Sequence, residues 1–113
     1  MAHTPVANLP SFRKGQVVIT THDAEGVRPM TDAEAAAWYD HAYKAWGPHD
    51  SAGEPWVHSG TKRLNIPAGT VLEVVRARVT ATVGWGDRPG YAEVVNLATG
   101  EHFKVHRSAL RAA

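Results

Sequence analysis

The chain has 113 residues, with 12 Lys+Arg against 11 Asp+Glu and a net charge of +1. That length holds one domain, and 43% hydrophobic with 20% charged residues excludes a wholly disordered chain. The absence of cysteine excludes disulfides, thiolate nucleophiles, and cysteine-held zinc or iron–sulfur centres. No apolar run approaches the ~20 residues of a membrane span, and no charged-then-apolar leader opens the chain. A soluble cytoplasmic domain with no membrane partner is therefore expected.

In chain order, residues 1–12 carry two prolines and no periodicity, which reads as an extended N-terminal arm. Residues 13–113 read as a single domain. Gln16 to Thr21 is β-branched and follows Lys14-Gly15, so a first strand is predicted there. His22 to Gly26 reads as a turn. A helix over residues 31–46 is the best-signalled element. Thr31 and Glu34 form a T-x-x-E capping box, and Gly47-Pro48 supplies the stop. Ala35, Trp38, Tyr39, Ala42 and Trp46 fall on one face of it, opposite Asp40, His41 and Lys44. That aromatic stripe is expected to clamp the helix onto a sheet. Residues 47–63 read as a long loop, with Trp56 and Val57 pinning its middle to the body.

From Ile66 onward β material dominates. A strand starts near Val71, and its apolar phase slips at residues 74–75, which predicts a bulge. Residues 84–90 read as a loop and Tyr91 to Leu97 as a strand. Ala98-Thr99-Gly100 makes a tight turn, Glu101 to His106 a strand, and Ser108 to Leu110 a short turn before a stub.

A first strand after Lys14-Gly15, a long insertion, and a three-strand meander closed by a short turn resemble the SH3-like β-barrel. The spacing Val95, Gly100, Val105, Leu110 resembles the closing hairpin of small bacterial SH3-type domains. The resemblance covers residues 14–23 and 64–113 and leaves 24–63 as an insertion. It implies an α+β, mainly β fold: a small barrel of about five strands with helix 31–46 inserted after the first. The chain lacks the acidic-tyrosine motif, the tandem tryptophan and the Pro–Ser–Asn–Tyr turn, of which Ser108 alone is present. The proline-peptide groove of signalling SH3 domains is therefore not implied.

Catalytic groupings are missing from the sequence. No serine lies in a G-x-S-x-G elbow, and no glycine-rich phosphate loop opens a helix. His102 and His106, on one strand, would stand roughly 13 Å apart, too far to share an ion. His49, Asp50, Glu54 and His58 share a loop but lack a fixed ligand spacing. No catalytic residue, metal or cofactor is expected.

Charge distribution carries more. Residues 1–61 hold 4 basic and 7 acidic residues, and residues 62–113 hold 8 basic and 4 acidic, so −3 faces +4. Strand alternation puts His102, Lys104 and His106 on one outward face, and Arg76 and Arg78 on another opposite Val75 and Ala77. Trp85 and Arg88 lie in the loop between. A basic sheet face beside a tryptophan loop predicts an acidic partner. The expectation is a non-catalytic interaction module that blocks or adapts a larger protein, in a bacterium or its phage. Nucleic acid is the alternative ligand, with Tyr91 as the second stacking residue. A subunit lacing onto neighbours through residues 1–12 is the third reading.

Overall fold

The computed structural model describes residues 6–113. The fold is α+β and mainly β. Its elements are β1 (Val17–Thr20), β2 (Ala24–Pro29), α1 (Asp32–Trp46), β3 (Thr61–Ile66), β4 (Val71–Val83), β5 (Gly86–Asn96), β6 (His102–His106) and β7 (Leu110–Ala112). Short 3-10 turns occupy Val6–Asn8 and Arg107–Ala109. All seven strands join one open antiparallel sheet in the order β3-β2-β6-β5-β4-β1-β7.

Seven strands replace the expected five, and both additions flank the helix. The segment read as a turn at 22–26 enters β2 at Ala24, and the segment read as a loop to residue 63 enters β3 at Thr61. The helix therefore follows the second strand, not the first. Gly26 explains the first misreading. It stands in mid-strand, where an added Cβ would meet Phe103 Cδ2 at 2.8 Å and Ile66 Cγ1 at 3.1 Å. This glycine marks a close approach between chain segments, not a turn. In β3 only Leu64 and Ile66 are large and apolar, too few to show a period.

The bulge expected at residues 74–75 is present: the β4–β5 register shifts between Val74 and Arg76. Further shifts fall between Arg76 and Val79 and between Val79 and Ala81. The early part of β4 pairs with β1, as in Val18↔Leu72, while β5 accompanies β4 along its length. Val18, Leu72, Val74, Ala92, Val94, Phe103, Val105 and Leu110 form the core, joined by Ile66 from the far edge and Phe12 from the N-terminal segment. A cluster drawing on both edges of the sheet requires that the sheet wrap around one face. Each Val, Leu or Phe buried this way contributes roughly 1.5–3 kcal/mol.

Residues 1–5 of the expected arm lie outside the described residues. Beyond them the chain is seated: Leu9 and Phe12 are buried, and the Pro10 carbonyl accepts a hydrogen bond from Arg107 Nη1 at 3.3 Å.

The helix forms as the capping box predicts. Thr31 Oγ1 accepts from the Glu34 N–H at 3.2 Å, and Glu34 Oε1 accepts from the Thr31 N–H at 3.0 Å. The expected clamp onto the sheet is not observed. No helix residue joins the core cluster, and only Ala42 is fully buried. The aromatic stripe instead closes on the loop that follows it. Trp38 packs edge-on against Tyr39, Trp46 and His58, with centroids 5.2, 6.3 and 4.8 Å away. Trp56 pins that loop to the helix end rather than to the body, and Val57 is exposed. The sheet is tied to the helix start by Arg28, whose guanidinium donates to both Glu34 carboxylate oxygens at 2.6 and 2.9 Å. Those bonds, with the Thr31 N–H, pull the Glu34 carboxyl down to about 2.

Candidate interaction surface

The segment read as a loop at 84–90 is a two-residue hairpin turn. Gly84 and Trp85 connect β4 to β5, with Val83 paired to Gly86. Gly84 has φ 63°, the left-handed conformation that the first central position of such a turn requires. Trp85 consequently stands at the tip, 75% exposed. Arg88 is exposed on the adjoining strand and has no ion-pair partner among the described residues. A Cβ at Gly84 would lie 3.6 Å from Arg63 Nη2, so a second guanidinium approaches the tip from β3. Arg63 was not singled out by sequence because β3 itself was not.

The expected basic face divides into separate environments. Arg76 and Arg78 are both exposed, as alternation predicts, but with the register shifting between Arg76 and Val79 they take different partners. Arg76 donates to Glu93, from Nε at 3.1 Å, and Arg78 Nη2 donates to Ser11 Oγ at 2.9 Å. Lys104 stands directly across from Glu93, and its ammonium donates to the Thr80 carbonyl at 2.9 Å. The outer half of the β4–β5 hairpin thus folds over this face. Thr61 Oγ1 holds the Thr82 carbonyl at 3.3 Å from the other side. What results is a cleft of about 340 Å³ in which Arg28, Arg76 and Lys104 line the walls with Glu93, above the buried Val27. Glu93 compensates one of its cations, and the Arg76 side chain itself stays exposed. His102 stays exposed.

His106 is also withdrawn. Its Nδ1 lies 2.6 Å from Ser108 Oγ, and its ring packs edge-on to Tyr91 with centroids 5.1 Å apart. Burial, and then the Arg107 charge, push its pKa below the ordinary histidine value. In the window below about 6.5 the unfolded chain therefore binds more protons than the folded one, so stability rises with pH through that window. The melting temperature is expected to fall between about pH 7 and 5, and His106→Gln to flatten that slope. An unchanged slope would mean other groups control it. Tyr91, half-buried with its phenol pushed up by burial, is turned to His106 rather than offered for stacking.

One aromatic group expected to pack onto the sheet faces solvent instead. Trp46 is 54% exposed, Tyr43 is exposed beside it, and Trp46 forms an open-sided pocket with Trp56, His49, Asp50 and Ser51. The histidine and acidic residues of the loop are occupied in local turns. Asp50 Oδ1 accepts the Ala52 and Glu54 N–H groups, and His58 Nδ1 accepts from the Gly60 N–H. Among the described residues no group of three His, Asp or Glu is placed to hold a metal ion, and no helix is long and apolar enough to cross a membrane. No family profile, curated protein or solved structure matches the chain.

Proposed function

We propose that this chain is a non-catalytic interaction domain that docks on an acidic protein surface through Trp85 and Arg88 at the β4–β5 hairpin tip. The observation that carries this reading is an indole 75% exposed on a two-residue turn, with Arg88 exposed and, among the described residues, without an ion-pair partner on the strand that leaves it. Large exposed apolar surface is costly in water, and Trp and Arg are the residues most enriched among interface anchors. Arg63 Nη2 also approaches Gly84, while its Nε pairs with Glu25 at 3.4 Å, so Arg88 is the guanidinium of this hairpin tip left for a partner's carboxylate.

The fold reading behind the proposal is an SH3-like barrel made by β1, β4, β5, β6 and β7. The strand order β7-β1-β4-β5-β6 and the 3-10 turn at Arg107–Ala109 support it. The β2–α1–β3 unit is then an insertion that extends this barrel. A domain of this kind acts by occupying a surface of a larger bacterial or phage-host protein.

The test is capture from a bacterial lysate with the double variant Trp85→Ala, Arg88→Ala. Capture is expected to vanish while the melting temperature stays within a few degrees, because neither side chain is buried. Undiminished capture overturns the proposal. Binding to single-stranded DNA or RNA that falls steeply with salt would instead favour the nucleic-acid reading.

A further inference from the structure

The pocket at the end of α1 has the chemistry of a cation site. Two of its walls are indoles: Trp46 and Trp56 meet with centroids 5.3 Å apart and planes inclined at 54°. Neither ring is loosely placed. Trp56 Nε1 donates to the Gly47 carbonyl at 2.8 Å, and Trp46 is braced by Trp38 and by His41, whose centroid is 5.6 Å away.

The rest of the pocket is electronegative. Asp50 uses Oδ1 for the Ala52 and Glu54 N–H groups, which fixes the carboxylate and leaves Oδ2 without a donor among the described residues. The helix ends here, and only the Tyr43 carbonyl of its last turn is claimed by the Gly47 N–H cap. The remaining terminal carbonyls put the negative end of the helix dipole toward the same loop. Residues 45–61 contain Asp50 and Glu54 and no lysine or arginine. The nearest cation in sequence, Lys44, is drawn to Asp40 at 3.0 Å. His49 Nδ1 lies 2.9 Å from the Asp50 carbonyl.

We infer that this pocket binds a methylated ammonium group, as carried by trimethyl-lysine or choline. Indole faces attract such cations through the ring quadrupole, and a carboxylate beside them supplies the charge complement. The poorly hydrated methyl groups suit the apolar walls, whereas an anion would meet the Asp50 carboxylate and the negative end of the helix. The site is separate from Trp85, and neither binding event requires the other.

The test follows the indole N–H resonances of Trp46 and Trp56 by NMR while the full chain is titrated with tetramethylammonium chloride, choline, or trimethyl-lysine amide. The neutral isostere 3,3-dimethylbutanol is the control. Saturable shifts in the millimolar range are expected with all three cations and not with the alcohol. Preference between choline and trimethyl-lysine identifies the source of the group. Asp50→Asn preserves the Oδ1 hydrogen bonds but removes the charge, and it should weaken binding. Trp46→Ala should weaken it about two- to thirtyfold, with Trp46→Phe partly restoring it. Because Trp46 is half exposed, helical circular dichroism of these variants should stay near that of the parent. Equal shifts with the alcohol, absent shifts at about 100 mM cation, or unchanged affinity in both Asp50→Asn and Trp46→Ala would overturn the inference.

Discussion

Phe103→Ala is expected to lower the free energy of unfolding by about 3–5 kcal/mol, a large part of the roughly 5–15 kcal/mol that holds a domain of this size. Phe103 is 2% exposed and lies where strands from both edges of the sheet converge. Its ring covers Gly26 on β2 and meets Ile66 from β3 over that glycine, while Val94 stands across from it on β5. Truncation removes the ring from a space closed on several sides, so the cavity has little means of collapsing. Urea denaturation monitored by far-ultraviolet circular dichroism measures the loss, and a change below about 1 kcal/mol would contradict this packing. A second comparison sharpens the result. Gly26→Ala should destabilise by crowding the same ring, and its cost should shrink in a Phe103→Leu background. Non-additivity between the two sites is the signature of direct contact.

Trp38→Ala is expected to act in a different way. A tryptophan stripe that clamped the helix to the sheet would transmit its loss to the whole domain. In this structure Trp38 holds α1 to the loop 47–58, and the sheet core contains no helix residue. The half-buried indole is worth roughly 2 kcal/mol, about half of a fully buried one. A 15-residue helix is marginal when its tertiary packing is weakened. The helical signal at 222 nm should therefore fall and amide exchange in residues 32–46 should accelerate, while exchange in β4, β5 and β6 stays slow. Global unfolding at a lowered melting temperature, with helix and strands lost together, would show that the two parts fold as one unit.

The helix, the first strand, the slip in β4 and the closing hairpin were legible because each depends on local sequence. Thr31 with Glu34, and Gly47 with Pro48, mark the helix ends within a few residues of the groups they serve. The partner of the helix was not legible, since an apolar stripe says that something covers it and not what. β2 was hidden by Gly26, whose purpose emerges only when Phe103 is placed above it. For the same kind of reason, the acidic member of the basic face was not legible. Alternation along one strand ignores register between strands, and register is what sets Glu93 between Arg76 and Lys104. Trp85 was readable as an exposed side chain because its flanking glycines leave an indole without neighbours to bury it.

The long β4–β5 hairpin, and a helix that contributes nothing to the sheet core, have a hydrodynamic consequence. The radius of gyration is 16.3 Å, with extents of 48 × 33 × 21 Å, where a compact chain of this length would give about 13 Å. A single copy will therefore elute early from a sizing column, at the volume of a larger sphere. It will also tumble slowly enough to broaden its NMR lines beyond those of a compact domain of equal mass. Elution volume alone would count one copy as more than one, and mass from light scattering corrects it.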